Sequence, residues 1–393
     1  MAVTAVLVPA ACVEGDPVLG QAGKAPPFAE TLVASTPGWW RSTGDDRFEV
    51  WVCRVPSDTT LPLYGGLPVR HEITPEGLAE QIEGRVPDYF ETVSEGAYRP
   101  SFVAGGEVAL GPSDPPTYCV DEAIRKSQDT SRAVLVVADA DHAEGFQGGI
   151  ASAGSLPKGA AAVPVTASRR YVYVGGADFA AEWGGNPPLD LVEHEIGHTL
   201  GWVHSGVIAA DGSGTGDPAD AIARPSVVGA AGDYLSPVDL MSDSAAPRAV
   251  NPARRDGPAP LALHRLLAGW LPVDAVLVTD ENASVELQPT FAARSKADTE
   301  NSIRMLVLAV DQSSFLTVEL RTKTGFDDHL PHDGLVVHRV TVENGSVTGI
   351  EPLHGATDGS PLLQGGDAAV GSGWSVEWGK DGKVRARTTP ASP

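Results

Sequence analysis

The 393-residue sequence is poor in cysteine, in basic side chains and in long apolar runs, and each shortage excludes something. Three cysteines, Cys12, Cys53 and Cys119, are too few and too scattered for a disulfide-framework fold or a cysteine-rich zinc module. At most one disulfide can form. Cys53 in a strand-like stretch and Cys119 in a loop-like one are the expected pair if the compartment is oxidising, which leaves Cys12 over. Against 51 Asp and Glu stand only 28 Lys and Arg, and the formal charge of −23 removes the basic footprint that nucleic acid requires. The acidic balance reads as surface solvation rather than a binding funnel. No apolar run reaches the roughly 18 residues of a spanning helix, so no membrane span is expected.

The apolar fraction of 42% is enough for a sizeable core in each of two domains. Residues 1–44 are rich in Pro, Gly and Ala without a period, and are expected to form an extended N-terminal segment, a signal or propeptide remnant. The opening MAVTAVLVPAAC is like the tail of an export signal without the positive start. Order is expected from FEVWVCRVP, a near-continuous apolar run of the kind a doubly covered strand shows. Thr74-Pro75-Glu76 is a helix start, with Leu78, Ile82, Val86 and Phe90 spaced by four behind it and Pro87 bending or interrupting the helix. YRPSFVAGGEVAL, DEAIRKSQ, RAVLVVADAD and RRYVYVGG then read as strand, helix, strand and strand, the last a candidate sheet edge able to dock a peptide. The alternation predicts an α/β (α+β) layer in a domain over 45–272. From about Leu271 the pattern is strands and turns only, which predicts an all-β sandwich over 273–393.

The chemistry concentrates in LVEHEIGHTLGWVH, residues 191–204. His194 and His198 are one helical turn apart, so both imidazoles leave one face and can share a metal ion. Glu195 follows the first of them, placed to take a proton from a zinc-activated water. Gly201 stands where the helix must stop and turn through a positive φ, bringing His204 back as a third ligand. Three neutral imidazoles leave the fourth tetrahedral position of a zinc ion open, as a catalytic rather than a structural site requires.

This stretch resembles the metzincin pattern HExxHxxGxxH, which is followed later by a methionine-containing turn beneath the metal. YLSPVDLMSD supplies that turn, with Met241 as its methionine and Tyr234 as a candidate for oxyanion support. In some metzincins such a tyrosine follows the methionine closely, where this chain has Asp243. DYFETVSEGAYRPSF, VLVVADAD, LHRLLAGWLP and VELRTKTGFDDHLPHDGLVVHRV are similar to segments of the immune-inhibitor-A and gametolysin-like secreted proteases, over most of 45–345. The resemblance implies an extracellular zinc endopeptidase acting on protein or peptide substrates, its catalytic domain built on a twisted mixed sheet with an active-site helix and followed by a β-sandwich. A monomer is expected. Two alternatives stay open: a catalytically silent zinc-bearing binding module that uses the β-sandwich, or a hydrolase of a non-protein amide.

Other polar groups carry weaker expectations. Asp211, Asp217 and Asp220 lie among glycines in a candidate calcium loop without ordered ligand spacing. Glu319, Arg321 and Asp327 are spaced as a structural ion pair or domain junction. His264, His329, His332 and His338 lack metal-ligand spacing and are expected to be structural or on the surface.

Overall fold

The computed structural model describes residues 43–56, 70–114, 117–128, 130–140, 150–152, 170–179, 186–205, 238–242, 256–280, 282–291, 302–310, 314–343, 346–353 and 362–388. Residues 1–42 of the N-terminal segment, with Cys12, the candidate calcium loop and Tyr234 lie outside them, and the last residue of that segment, Gly44, already opens a strand. The fold is mixed α/β, with three sheets and few helices.

In the N-terminal part, β1 (Gly44–Arg54), β2 (Tyr98–Ala109), β3 (Ala133–Ala138), β4 (Ile150–Ser152) and β5 (Arg170–Val174) form one sheet in the order β2-β1-β3-β5-β4. The first four strands in that order are parallel, and β4 runs antiparallel on the edge beside β5. Strand alternation sends Phe48, Val50, Leu135, Val137, Val172 and Val174 into one core. Trp51, Cys53, Val134, Val136, Tyr171 and Tyr173 go into the other. Apolar residues on both faces explain why β1 and β3 read as unbroken apolar runs.

The first face is covered by α1 (Pro75–Glu83) and α2 (Val86–Val93). Thr74 caps α1 by accepting from the Gly77 N–H at 3.1 Å. Pro87 cannot donate to Glu83 and its ring would crowd that carbonyl, so the apolar pattern is split into two helices at Gly84 and Arg85. α3 (Thr117–Lys126) covers the second face and is tied to β1 by the Cys53–Cys119 disulfide, the pairing expected of an oxidised chain.

One expectation is corrected here. The strand at Tyr171–Val174 is internal, because β4 pairs with Tyr171–Tyr173 and takes the edge. β4 lies in the Gly-rich stretch GFQGGIASAG, whose composition hides a three-residue strand.

The remaining elements are α4 (Asp190–Thr199), α5 (Ala262–Leu267), β6 (Val276–Thr279), β7 (Ala283–Val285), β8 (Met305–Ala309), β9 (Ser314–Arg321), β10 (Gly334–Glu343), β11 (Ser346–Leu353), β12 (Leu362–Leu363), β13 (Ala368–Gly371), β14 (Trp374–Trp378) and β15 (Val384–Thr388). Six strands pair as β11-β10-β9-β8-β6 with β12 beside β10, and four as β13-β14-β15-β7. Leu306, Leu308, Leu316 and Val318 of the first sheet share a core with Trp374, Val376, Val384 and Ala386 of the second. On the opposite face Met305, Val307 and Phe315 meet Leu263, Leu266 and Leu267. Thus α5, which the sequence groups with the N-terminal domain, buries its apolar side on the C-terminal sheet.

Candidate metal centre

α4 starts after Leu189 and buries Val192, Ile196 and Leu200 against the first sheet. Its register turns His194 and His198 the other way. The helix ends through Gly201 at φ +80°. There the Gly201 N–H donates to His198 O at 3.0 Å and the Trp202 N–H to Gly197 O at 3.1 Å. This paired closure needs a left-handed residue, which glycine adopts without strain. The chain then returns past Trp202 to His204, and Ser205 pairs with Ile350 of β11. The third imidazole is therefore moored to the C-terminal sheet.

His204 Nε2 lies 3.1 Å from His194 Nε2 and 3.0 Å from His198 Nε2. Among the described residues these three form the one group of His, Cys, Asp or Glu side chains able to hold a metal ion. The tautomers follow from the outer ring nitrogens. His194 Nδ1 meets Leu240 O at 2.8 Å and His198 Nδ1 meets Trp202 O at 2.9 Å. A carbonyl only accepts, so both Nδ1 atoms carry the proton and both Nε2 atoms present lone pairs. His204 Nε2 faces both and has at most one proton to give. Three such nitrogens converge stably around a shared cation. Tetrahedral coordination at about 2.0–2.1 Å sets ligand atoms about 3.3 Å apart, close to what is observed. The donor set fits.

Electrostatics agree with that fit. Burial, then the neighbouring imidazole, pushes His198 down to about 3, and the same causes take His204 well below its ordinary value. Burial also lowers His194. All three rings are neutral at pH 7, as ligation requires. Glu195, next to His194, is buried, and burial pushes its carboxyl well above the usual range. Its Oε2 has no hydrogen-bond partner among the described residues.

Beneath the helix, a β-carbon on Gly197 would stand 2.6 Å from Met241 Sδ and 2.6 Å from Trp202 Cε3. Gly197 thus lets the methionine and the tryptophan press against the backbone between the two helical histidines. Met241 is fully buried there. Sequence reasoning missed Gly197, and it missed the Leu240 and Trp202 carbonyls because backbone acceptors leave no signature in residue type. It also missed Glu193, a buried carboxylate that accepts from the Gly257 N–H at 2.8 Å and so ties α4 to the segment before α5.

Of the remaining histidines, His264 and His338 are buried, and His329 and His332 are half-buried. Glu319, Arg321 and Asp327 form the expected buried ion cluster. Arg321 donates through Nε to Asp327 Oδ2 at 2.8 Å, through Nη2 to Asp327 Oδ1 at 2.7 Å and through Nη1 to Glu319 Oε1 at 3.1 Å. In sequence comparison no protein-family model and no curated protein matches the chain.

Proposed function

We propose that the chain is a zinc-dependent endopeptidase of the metzincin kind, with the metal on His194, His198 and His204. The carrying observation is the convergence of three neutral Nε2 donors next to a buried carboxylate whose Oε2 has no partner among the described residues. A zinc ion held there supplies Lewis acidity toward a scissile carbonyl and an attacking water. Glu195 takes the proton of that water on a carboxylate oxygen and passes it to the leaving amine nitrogen. Its raised affinity for a proton, a consequence of burial, suits both transfers. Leu240 O and Trp202 O hold the ligand rings in the tautomer that presents Nε2. Met241 is the methionine of the turn beneath the helix, and the C-terminal pair of sheets is read as the β-sandwich. A peptide substrate extends along β4, the edge strand of the sheet among the described residues, which neighbours α4. The disulfide fits an extracellular location.

The test is turnover of a dye-quenched protein such as casein by metal-quantified protein, beside the Glu195→Ala variant. The parent cleaves, loses activity on chelation and regains it with zinc, while the variant keeps the metal and loses turnover. Activity retained without Glu195 refutes its role as base.

A further inference from the structure

Behind the ligand rings lies a buried pair that the proposed reaction does not use. Asp239 and His264 are both fully buried, and His264 Nδ1 stands 3.4 Å from Asp239 Oδ1. The same carboxylate oxygen accepts from the Leu261 N–H at 3.2 Å, at the start of α5. Its other oxygen and both His264 nitrogens have no hydrogen-bond partner among the described residues. A carboxylate and an imidazole kept wholly from water with so little bonding are expensive for a merely structural contact.

Each member of the pair touches one of the carbonyl-bearing residues of the metal centre. Asp239 precedes Leu240, whose carbonyl orients His194, and its own carbonyl closes the turn by accepting from the Ser242 N–H at 3.1 Å. The His264 ring stacks on Trp202, with centroids 5.3 Å apart and planes 22° apart, and the Trp202 carbonyl orients His198. Trp202 is also wedged edge-on against Trp270 at 5.3 Å.

We propose that Asp239 and His264 are positioning residues of the metal centre, fixing the two peptide carbonyls that orient the His194 and His198 rings. The inference rests on the reading of the three histidines as metal ligands. Burial works against the charge of Asp239, yet the facing His264, helped by the Ser205 hydroxyl and by His338, holds the carboxyl below its usual range. Groups that orient ligating imidazoles typically change metal affinity by about 10–100-fold when removed.

The experiment measures the zinc dissociation constant of full-length protein by competition with a chromophoric chelator, together with the visible spectrum of the cobalt-loaded form. Asp239→Asn keeps an acceptor for the Leu261 N–H and removes the charge. His264→Phe keeps a ring on Trp202 and removes the nitrogens that face Asp239. Both variants are expected to bind zinc about 10–100-fold more weakly than the parent and to shift the cobalt bands. If only one folds, it carries the test alone. A dissociation constant within about twofold of the parent and an unchanged cobalt spectrum, even beside a lowered thermal midpoint, overturn the proposal, because that is what a purely structural pair gives. A parent that binds no stoichiometric metal overturns both this inference and the reading beneath it, whereas a tight parent with equally tight variants overturns the inference alone.

Discussion

At Arg321 a buried charge is answered from within the chain, whereas at His194, His198 and His204 three like groups are turned toward one another. The guanidinium of Arg321 has two carboxylates and the Ala259 carbonyl at 2.9 Å around it. Those carboxylates in turn accept from the Ala262 N–H at 2.6 Å and the Ala259 N–H at 3.3 Å. A buried ion set that closes on itself carries structure. It clamps β9 to the lead-in of α5, and that lead-in also bonds to Glu193 on the metal helix. The imidazole cluster cannot close on itself, because His194 and His198, with their Nδ1 protons committed, offer only lone pairs, and His204 has at most one proton for the two of them. The contrast teaches that burial alone does not separate structural from functional polar groups. The sign of the groups brought together does.

The comparison breaks most visibly at a ligand. His198→Ala is expected to abolish stoichiometric metal binding and turnover together while leaving the far-ultraviolet circular dichroism of the metal-free protein unchanged. Metal analysis beside a chromogenic assay checks it. Loss of fold instead of metal would place the histidines with Arg321.

The reverse experiment is Arg321→Ala, which strands Glu319 and Asp327 in the interior. It is expected to cost about 3–5 kcal/mol in urea unfolding, while the fraction that remains folded still binds one metal. A small stability loss with lost metal would invert the two assignments.

The smallest effect comes from pH. Burial pushes His338 on β10 down to about 3 in the folded chain. An unfolded histidine binds its proton near 6.5, so between those values the unfolded state holds the extra proton. Stability conferred by the neutral ring is complete above about 6.5 and is lost as pH falls toward 3, by at most about 1.4 kcal/mol per pH unit. Urea unfolding of the metal-free parent at pH 6.5 and 5.5, beside His338→Phe, measures it. The parent is expected to show the steeper loss, and equal slopes would contradict the assignment.

Much of this contrast is legible in the residues, for identifiable reasons. The spacing of His194, Glu195, His198, Gly201 and His204 is local, and local geometry follows from helix period and glycine φ, so the convergence of the three imidazoles could be read directly. The same holds for the Thr74 cap, the break at Pro87 and the ion cluster at Glu319, Arg321 and Asp327, whose members lie within one strand and the turn after it. β1 and β3 were legible because a doubly covered strand is apolar on both faces. What depends on distant partners was not legible. The burial of His264 and His338 was not legible, because it depends on packing between segments far apart along the chain. β4 carries too little apolar character to mark an edge, so the edge was assigned to its neighbour Tyr171–Val174. The packing of α5 on the C-terminal sheet depends on Met305 and Phe315, which no local pattern links to Leu263.

The most direct test of the central claim is X-ray absorption at the zinc edge on purified protein of known metal content. The account predicts one zinc per chain with a first shell containing three imidazole nitrogens, and a loss of imidazole scattering in His204→Ala. A protein without stoichiometric zinc, or a zinc shell free of imidazole, would contradict it.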